Sequence, residues 1–306
     1  MCDIWKIKNS PELTLEDIAK LPDSLRDVNL SGGEPFLRKD LPEIVAAVRQ
    51  ACPKARMVIS TNGFLTPVID KAMEKILKIA PDIGVAVSID GIGEMHNTVR
   101  GIPGGFDRCM ETVRVLKQKG MTNLRLGFTI TPENVEHFAK VYDLTRELGI
   151  EFTHSFAQSS EFYFGGKQNV NNPDPVVLKK AYKHIINSEL KSWNLKRWLR
   201  AYFASGMCRF ITEKNPVLDN APGRDFFFLD PTGDIYPSVV HNMILGNIRK
   251  VTNFAEFWQS EEVEKRRVKV DAMKTPVWMI CTARTALYRH PFSVVGWIVK
   301  NKLFGY

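Results

Sequence analysis

Four short polar segments in the first half of the sequence carry residue types that could bind a ligand. They read SGGEP at 31–35, STNG at 60–63, SIDG at 88–91 and HNTVRG at 96–101. Gly32 and Gly33 lack a Cβ atom, so backbone amides and carbonyls can approach a ligand closely, while Glu34 adds a carboxylate and Pro35 stiffens the exit. This loop is suited to an amino-acid-like ligand. For a Gly-Gly pair taken alone, a plain tight turn is the alternative.

The other three segments offer hydroxyl, carboxylate and guanidinium groups. Asn62, Ser88 and Asp90 together could bind the hydroxyls of a ribose, although Asn-Gly and Asp-Gly pairs are also common turn formers. Arg100 is a candidate partner for a carboxylate or phosphate, and a solvated loop arginine is the alternative. Ligand binding at this set of residues requires that the fold bring the four segments together.

A repeated β/α unit is the element that would position these segments. Strand-like runs recur about every 30 residues, beginning near Val28, Met57, Gly84, Asn123 and Glu151. Amphipathic helical stretches lie between them, at 41–50, 67–80, 106–120 and 136–149, the last stopped by Gly149. Such alternation predicts a parallel sheet, rolled into a barrel or open, with ligands at the carboxyl ends of the strands. We therefore expect the strand ends SGGEP, STNG and SIDG, together with TPEN at 131–134, to meet at one mouth.

The pattern changes after residue 169. NVNNPDPVV reads as a linker, and residues 176–205 predict one long or two consecutive basic helices ending at Gly206. RDFFFLDPTGDIYPS at 224–238 predicts a hairpin around its DPTGD turn. Residues 276–306 are apolar and basic.

The four segments, in this order and spacing, resemble those of the radical S-adenosylmethionine enzymes, specifically those with a C-terminal SPASM or twitch domain. The resemblance covers nearly the whole chain. It implies an α/β fold, a partial (β/α)6 TIM-like barrel with its first strand missing, followed by a small α+β SPASM/twitch-like domain. The implied divisions are a barrel at 1–168, a helical linker at 169–206 and the C-terminal region at 207–306.

The resemblance also implies a cofactor and a chemistry. In that family a 4Fe-4S cluster binds the methionine end of S-adenosylmethionine and cleaves it reductively to a 5′-deoxyadenosyl radical, which abstracts a hydrogen from the substrate. The glycine loop and its glutamate are assigned to the methionine amino group. The candidate cofactor-binding residues, including those proposed from residue chemistry alone, are Gly32, Gly33, Glu34, Asn62, Ser88, Asp90, Arg100, Thr129 and Asn134. A reductant such as flavodoxin or ferredoxin and a small-molecule or peptide substrate are the implied partners.

The sequence departs from the family at its metal ligands. Cys2 resembles the third cysteine of the cluster loop, so the resemblance implies a truncated chain that lacks the family's first strand and first two cluster cysteines. Auxiliary-cluster positions read Asn220, Ser238 and Val277, with Cys281 retained. One thiolate at each site is too few for a 4Fe-4S cluster, so we expect impaired activity. The residues in place of the auxiliary ligands are expected to pack or hydrogen-bond among themselves.

Composition limits the class of protein. The 306 residues include 42 Lys+Arg and 34 Asp+Glu, a net charge of +8, which is compatible with nucleic acid, a phosphorylated metabolite or a membrane surface as partner. We predict no nucleic-acid stripe, no transmembrane segment and no signal peptide. Five widely spaced cysteines fit a reducing compartment, and the expected location is cytoplasmic. No H-E-x-x-H or G-x-S-x-G motif supports a zinc protease or a serine hydrolase.

Three functional hypotheses remain. The first is a radical S-adenosylmethionine enzyme impaired by the loss of cluster ligands. The second is a cluster-free scaffold that binds a nucleotide or a peptide partner at the same mouth. The third is a phosphate-binding β/α-barrel enzyme that uses Arg100 and backbone amides without a metal.

Overall fold

The structure is a computed structural model that describes most of the chain. The described ranges are 2–7, 11–160, 162–169, 172–215 and 218–306. The side chains of Trp5 and Cys281 lie outside the description. The predicted metal ligand Cys281 is therefore placed only by its backbone, within a helix.

Five parallel strands form the main sheet, in chain order across the sheet. They are β1 (Asp27–Leu30), β2 (Arg56–Thr61), β3 (Gly84–Ser88), β4 (Leu124–Ile130) and β5 (Glu151–Phe156). Because all five strands run in the same direction, their carboxyl ends lie at one edge. The sheet is a half-barrel with helices around it, which confirms the predicted α/β, partial TIM-like barrel.

The two faces of the sheet differ in chemistry because side chains alternate along each strand. On β4, Leu124, Leu126, Phe128 and Ile130 are buried in the core that the helices cover. The opposite, concave face carries polar side chains such as Asn29 and Ser60, and Asn29 Oδ1 accepts a hydrogen bond from Ser60 Oγ there, at 3.0 Å. The alternation therefore gives a hydrophobic outer layer and a polar inner trough.

Within the described residues of this half, six α-helices accompany the strands. They are α1 (Leu15–Ala19), α2 (Leu41–Ala51), α3 (Thr66–Ile79), α4 (Glu94–Arg100), α5 (Gly105–Gln118) and α6 (Phe138–Leu148). Gly149 ends α6 with φ 67°, a left-handed conformation that glycine adopts at little cost. The four amphipathic stretches of the sequence correspond to α2, α3, α5 and α6, whereas α1 and α4 were not predicted.

Two longer helices follow, α7 (Pro175–Lys191) and α8 (Leu195–Glu213). The prediction that the helical region ends at Gly206 is wrong, because α8 continues for two further turns. A Cβ atom at Gly206 would lie 2.7 Å from the ring of Trp278, whose indole Nε1 donates to the carbonyl of Phe203 at 3.3 Å. The glycine therefore allows a tryptophan to dock on the helix and does not stop it.

The C-terminal region contains a small antiparallel sheet and four helices in its described part. The elements are β6 (Phe228–Leu229), β7 (Asp234–Tyr236), β8 (Gly246–Asn247), α9 (Phe254–Gln259), α10 (Glu261–Met273), α11 (Ile280–Arg289) and α12 (Pro291–Phe304). The pairing of β6 with β7 confirms the predicted hairpin. None of the described helices combines the length and apolar character that a bilayer-crossing helix needs.

Helix α11 joins the C-terminal region to the half-barrel. Its Arg284 forms an ion pair with Asp27, at the amino-terminal end of β1. Ala283 and Ala286 of the same helix belong to the core that underlies the main sheet. At the other end of the chain, the Asp3 backbone N–H donates to the carbonyl of Phe164, in the loop after β5, at 3.0 Å.

His154 on β5 gives the fold a specific sensitivity to acid. Its ring is buried among aromatic rings, those of Phe138, Phe152, Tyr182 and Phe203. Burial lowers the pKa of His154 from 6.5 to about 3. The unfolded chain therefore takes up a proton as the pH falls below 6.5, whereas the folded chain does not until the pH nears 3.

We expect His154→Phe to reduce the acid sensitivity of folding. In the wild type, protonation of this histidine in the unfolded chain lowers the free energy of unfolding by up to about 1.4 kcal/mol for each pH unit below 6.5. Denaturant titrations at several pH values measure this slope. Tyr182→Phe is the control, because burial raises the pKa of Tyr182 well above 10, so it stays neutral throughout. An unchanged slope in His154→Phe would contradict the assignment.

Candidate functional site

The glycine loop after β1 presents open backbone at the carboxyl edge of the sheet. Gly32 and Gly33 are both exposed. A Cβ atom built on either glycine would have no other atom within 4 Å, and Gly32 has φ 148°. The loop therefore leaves room for a ligand directly above its amides and carbonyls.

Glu34 is held in place by hydrogen bonds that join this loop to the next. Its Oε1 accepts from the Thr61 hydroxyl at 2.9 Å and from the Phe36 N–H at 3.1 Å, and its Oε2 accepts from the Asn62 N–H at 2.7 Å. A carboxylate has about four acceptor positions, so about one remains for a ligand. Burial raises the pKa of Glu34. The three hydrogen bonds and the nearby Arg100 lower this pKa, but their effect is smaller than that of burial.

Asp90 and Arg100 form an ion pair beside the mouth. Asp90 is fully buried, and its Oδ1 accepts from the Thr129 N–H at 2.7 Å. Arg100 Nη2 lies 2.5 Å from Asp90 Oδ2, in ion-pair contact without the alignment of a hydrogen bond. The Arg100 side chain retains 23% exposure. Asp90 thus holds Arg100, and its carboxylate is not exposed to a ligand.

Asn134 has all its amide atoms engaged within the protein. Its Oδ1 accepts from the Thr131 N–H at 2.8 Å, and its Nδ2 donates to the carbonyls of Asp90 at 3.1 Å and Thr129 at 2.9 Å. The residue is fully buried, behind the mouth. Ser88 and Thr129 keep partial exposure at the ends of their strands. Asn134 therefore links the loops after β3 and β4 through its side-chain hydrogen bonds.

Two buried neighbours support the mouth, and sequence reasoning had assigned neither of them a role. His96 Nδ1 accepts from the Asp90 N–H at 3.0 Å, and Cys109 Sγ donates to the Asn62 carbonyl at 3.1 Å. Burial lowers the pKa of His96 to about 4 and raises the pKa of Cys109 to about 12, so both are neutral at pH 7. Their role here is to fix the loops. In the sequence, the position of His96 at the start of the HNTVRG segment is the one feature that could have indicated this role.

The described residues do not form a site that fits a 4Fe-4S cluster. Among them, no group of three or more His, Cys, Asp or Glu side chains is placed to hold a metal. Cys2 Sγ instead accepts from the Ile4 N–H at 3.5 Å. An S-adenosyl ligand fits better, because the open glycine loop lies next to a carboxylate with a remaining acceptor position.

The positions that replace the expected auxiliary ligands have partners in the protein. The side-chain amide of Asn220 donates to the backbone carbonyl of Val277. Ser238 Oγ lies 2.8 Å from His241 Nδ1, and both residues are buried. Burial also lowers the pKa of His241. The polar groups of Asn220 and Ser238 thus have hydrogen-bond partners among the described residues.

Comparison with curated proteins gives several relatives. Fe-coproporphyrin III synthase of Methanosarcina barkeri is 39% identical over 141 residues, 44% of this chain and 34% of that protein. Pre-heme d1 synthase of Dinoroseobacter shibae is 26% identical over 268 residues, 80% of this chain and 63% of that protein. AdoMet-dependent heme synthase of Methanosarcina barkeri is 27% identical over 281 residues, 83% of this chain and 76% of that protein. The chain thus spans less than two thirds of the first two relatives.

Solved structures and a family model agree on the fold. Native anSMEcpe with bound AdoMet superposes with a TM-score of 0.52 at 18% identity, covering 82% of this chain and 71% of that one. Its complex with AdoMet and the Cp18Cys peptide gives 0.53 at 18% identity, covering 82% and 73%. At this identity the likeness shows the fold alone. The model described as the Radical SAM superfamily matches residues 1–145. Those residues hold β1 to β4 and the glycine loop, and on this match the N-terminal 145 residues belong to the radical SAM superfamily.

Proposed function

We propose that this chain binds S-adenosylmethionine at the mouth formed by the loops after β1 to β4. The observation that carries the proposal is the open Gly32–Gly33 backbone beside Glu34, whose carboxylate is held by three hydrogen bonds and has about one acceptor position left. An ammonium group such as that of the methionine moiety matches a carboxylate and nearby carbonyls. This pairing is the first anchor of the proposed complex.

The remaining candidate residues divide into two roles. In the proposed complex, Ser88 and Thr129 contact the ribose from the concave face, and Arg100 binds the carboxylate of the ligand. Asp90 and Asn134 are positioning residues, because their polar groups hold Arg100 and Thr129 and are themselves buried. Asn62 contributes its backbone N–H to Glu34, and its side-chain Oδ1 accepts from the Phe64 N–H.

Binding at the mouth and cleavage of the cofactor have different requirements. In this superfamily a 4Fe-4S cluster supplies the electron for reductive cleavage. Cys2 is the one predicted barrel-cluster ligand within the described residues, so cleavage by this polypeptide requires ligands beyond those described. Binding of the amino acid and ribose groups relies on the mouth itself, and it is the part of the function that the chain's own residues support.

An iron-free titration with S-adenosylhomocysteine tests this proposal. Ordinary hydrogen bonds contribute roughly 0.5 to 1.5 kcal/mol each, so we expect a Kd around the millimolar scale, at which about 4 kcal/mol is available. Isothermal calorimetry or ligand-detected NMR measures it. Absence of binding would overturn the proposal. Adenosine binding as tightly as S-adenosylhomocysteine would instead favour the nucleotide-binding scaffold.

We further propose a tetrapyrrole as the substrate class. Relatives that align over about four fifths of this chain are named for heme or heme d1 synthesis. Beyond the carboxyl end of β5 lies a cluster of aromatic rings, in which Phe162 stacks on Tyr236 with centroids 4.2 Å apart. Tyr163 packs edge-on against Phe228 in the same cluster, at 4.9 Å. Aromatic faces of this kind suit a flat conjugated macrocycle.

Titration with iron coproporphyrin III, followed by its Soret absorbance, tests the substrate class. We expect a saturable shift that weakens about tenfold in Phe162→Ala, because about 1.4 kcal/mol of stacking and burial is lost. Phe292→Ala is the control, since that ring is 91% exposed on α12, in the C-terminal region. A shift abolished by Phe292→Ala and unchanged by Phe162→Ala would mean non-specific adsorption and would refute the assignment.

A further inference from the structure

We propose that helix α12 and the turn between α7 and α8 form a docking surface for an anionic lipid bilayer. Along α12, Phe292, Val295, Val299 and Leu303 are 91%, 55%, 50% and 71% exposed. At about 100° per residue, these four positions fall on one face of the helix. We call them the apolar stripe. A contiguous exposed apolar surface of this kind marks an interaction site.

The opposite face of α12 is fixed to the protein, so the stripe cannot turn inward. Val294 and Ile298 are buried in the main core. Trp297 packs edge-on against Tyr202 of α8, with ring centroids 5.3 Å apart. The C-terminal Tyr306 packs against Trp297 and lies within hydrogen-bond distance of Ser205 at 3.2 Å. The helix is therefore held with its stripe facing outward.

Basic and aromatic residues flank the stripe. Lys300 lies on one side of it and Lys302 on the other, as the helical repeat requires. The Lys302 ammonium lies 4.6 Å from the ring centroid of Trp193, which is 87% exposed in the α7–α8 turn. Leu195, 62% exposed, extends the same surface. Tryptophan and lysine beside an apolar helix face are typical of the boundary between headgroups and acyl chains.

The charge of this segment favours an anionic surface over a second copy of the chain. No Asp or Glu occurs after Asp271, whereas Lys and Arg occur at 274, 284, 289, 300 and 302. Arg284 and Arg289 are paired with Asp27 and Asp225, which lie outside the segment. The lysines beside the stripe would repel the same lysines of a second copy. Lys and Arg side chains near an anionic membrane surface are attracted to its headgroups.

The length of the helix sets the mode of contact. With 14 residues, α12 is about 21 Å long, which is shorter than the roughly 30 Å hydrocarbon core of a bilayer. It is therefore suited to lie in the plane of the interface, with the stripe inserted among the acyl chains. This contact is independent of the proposed cofactor mouth, which lies at the carboxyl edge of the sheet.

Flotation of the full chain with vesicles tests the proposal. Vesicles of phosphatidylcholine mixed with phosphatidylglycerol should carry the protein, and vesicles of phosphatidylcholine alone should carry much less. High salt should release it, because screening weakens the attraction between lysine and lipid. Equal binding to both kinds of vesicle, or binding to neither, would overturn the proposal.

A matched pair of variants locates the contact. Val299→Asp should weaken vesicle binding at least about tenfold, because it removes an apolar side chain from the inserted face and puts a charge in its place. Val268→Asp is the control: it makes the same change on α10, where Val268 is 58% exposed. Equal losses in the two variants would refute the stripe as the contact. A dimer in light scattering that Val299→Asp dissociates, without vesicle binding, would identify a second copy as the occupant and overturn the lipid assignment.

Discussion

Replacing Gly33 with leucine is expected to abolish binding of S-adenosylhomocysteine while leaving the fold intact. Gly33 has no atom within 4 Å of a Cβ built on it, and its φ lies outside the range that disfavours other residues. The leucine can therefore be accommodated without strain and will occupy the space above the loop. The ligand has only about 4 kcal/mol of binding free energy at a millimolar Kd, so this obstruction should make binding undetectable.

Gly296→Leu is the matched control for this variant. Gly296 is another exposed glycine with open space around its Cβ position and without a positive φ, on α12. Its substitution should leave ligand affinity unchanged. Gly32 is less suitable, because its φ of 148° would strain any other residue. If Gly33→Leu binds S-adenosylhomocysteine as tightly as the wild type does, the ligand binds somewhere other than the mouth.

The order of strands and helices could be predicted from the sequence because the spacing of apolar residues directly reflects which side chains are buried. The buried positions of β4 alternate with less buried ones, and the apolar positions of α6 follow a helical repeat. The error at Gly206 has a physical cause. A glycine in a helix signals either a stop or a close packing partner, and the partner, Trp278, lies 72 residues further along the chain.

The polar residues of the mouth show where sequence reasoning ends. Asp90 is predicted as a ligand contact by its residue type and its position after a strand, and Asn134 by the resemblance to the family. In the structure their polar groups serve other loops, through hydrogen bonds to Thr129 and Thr131. Spacing places a residue at the correct edge of the sheet, but the tertiary neighbours decide whether its polar atoms face the ligand or the protein.

Asp90→Ala is expected to produce the largest loss of stability at the mouth, about 3 kcal/mol in the free energy of unfolding. Asp90 is fully buried opposite Arg100, so its removal leaves a largely buried guanidinium without its counter-charge and the Thr129 N–H without its acceptor. The value is taken at the low end for a broken buried pair, because Arg100 retains 23% exposure and can partly reach water. Denaturant titration monitored by circular dichroism measures it.

Two further variants separate the ion pair from the hydrogen bond. Asp90→Asn keeps an oxygen that can accept from Thr129 but loses the charge opposite Arg100, so it should lose less stability than Asp90→Ala. Glu111→Ala breaks the exposed Glu111–Arg114 pair and should leave the unfolding midpoint unchanged. If Asp90→Ala were as stable as Glu111→Ala, the buried pair would not stabilise the mouth. Arg100 would then need another partner to hold it beside Glu34.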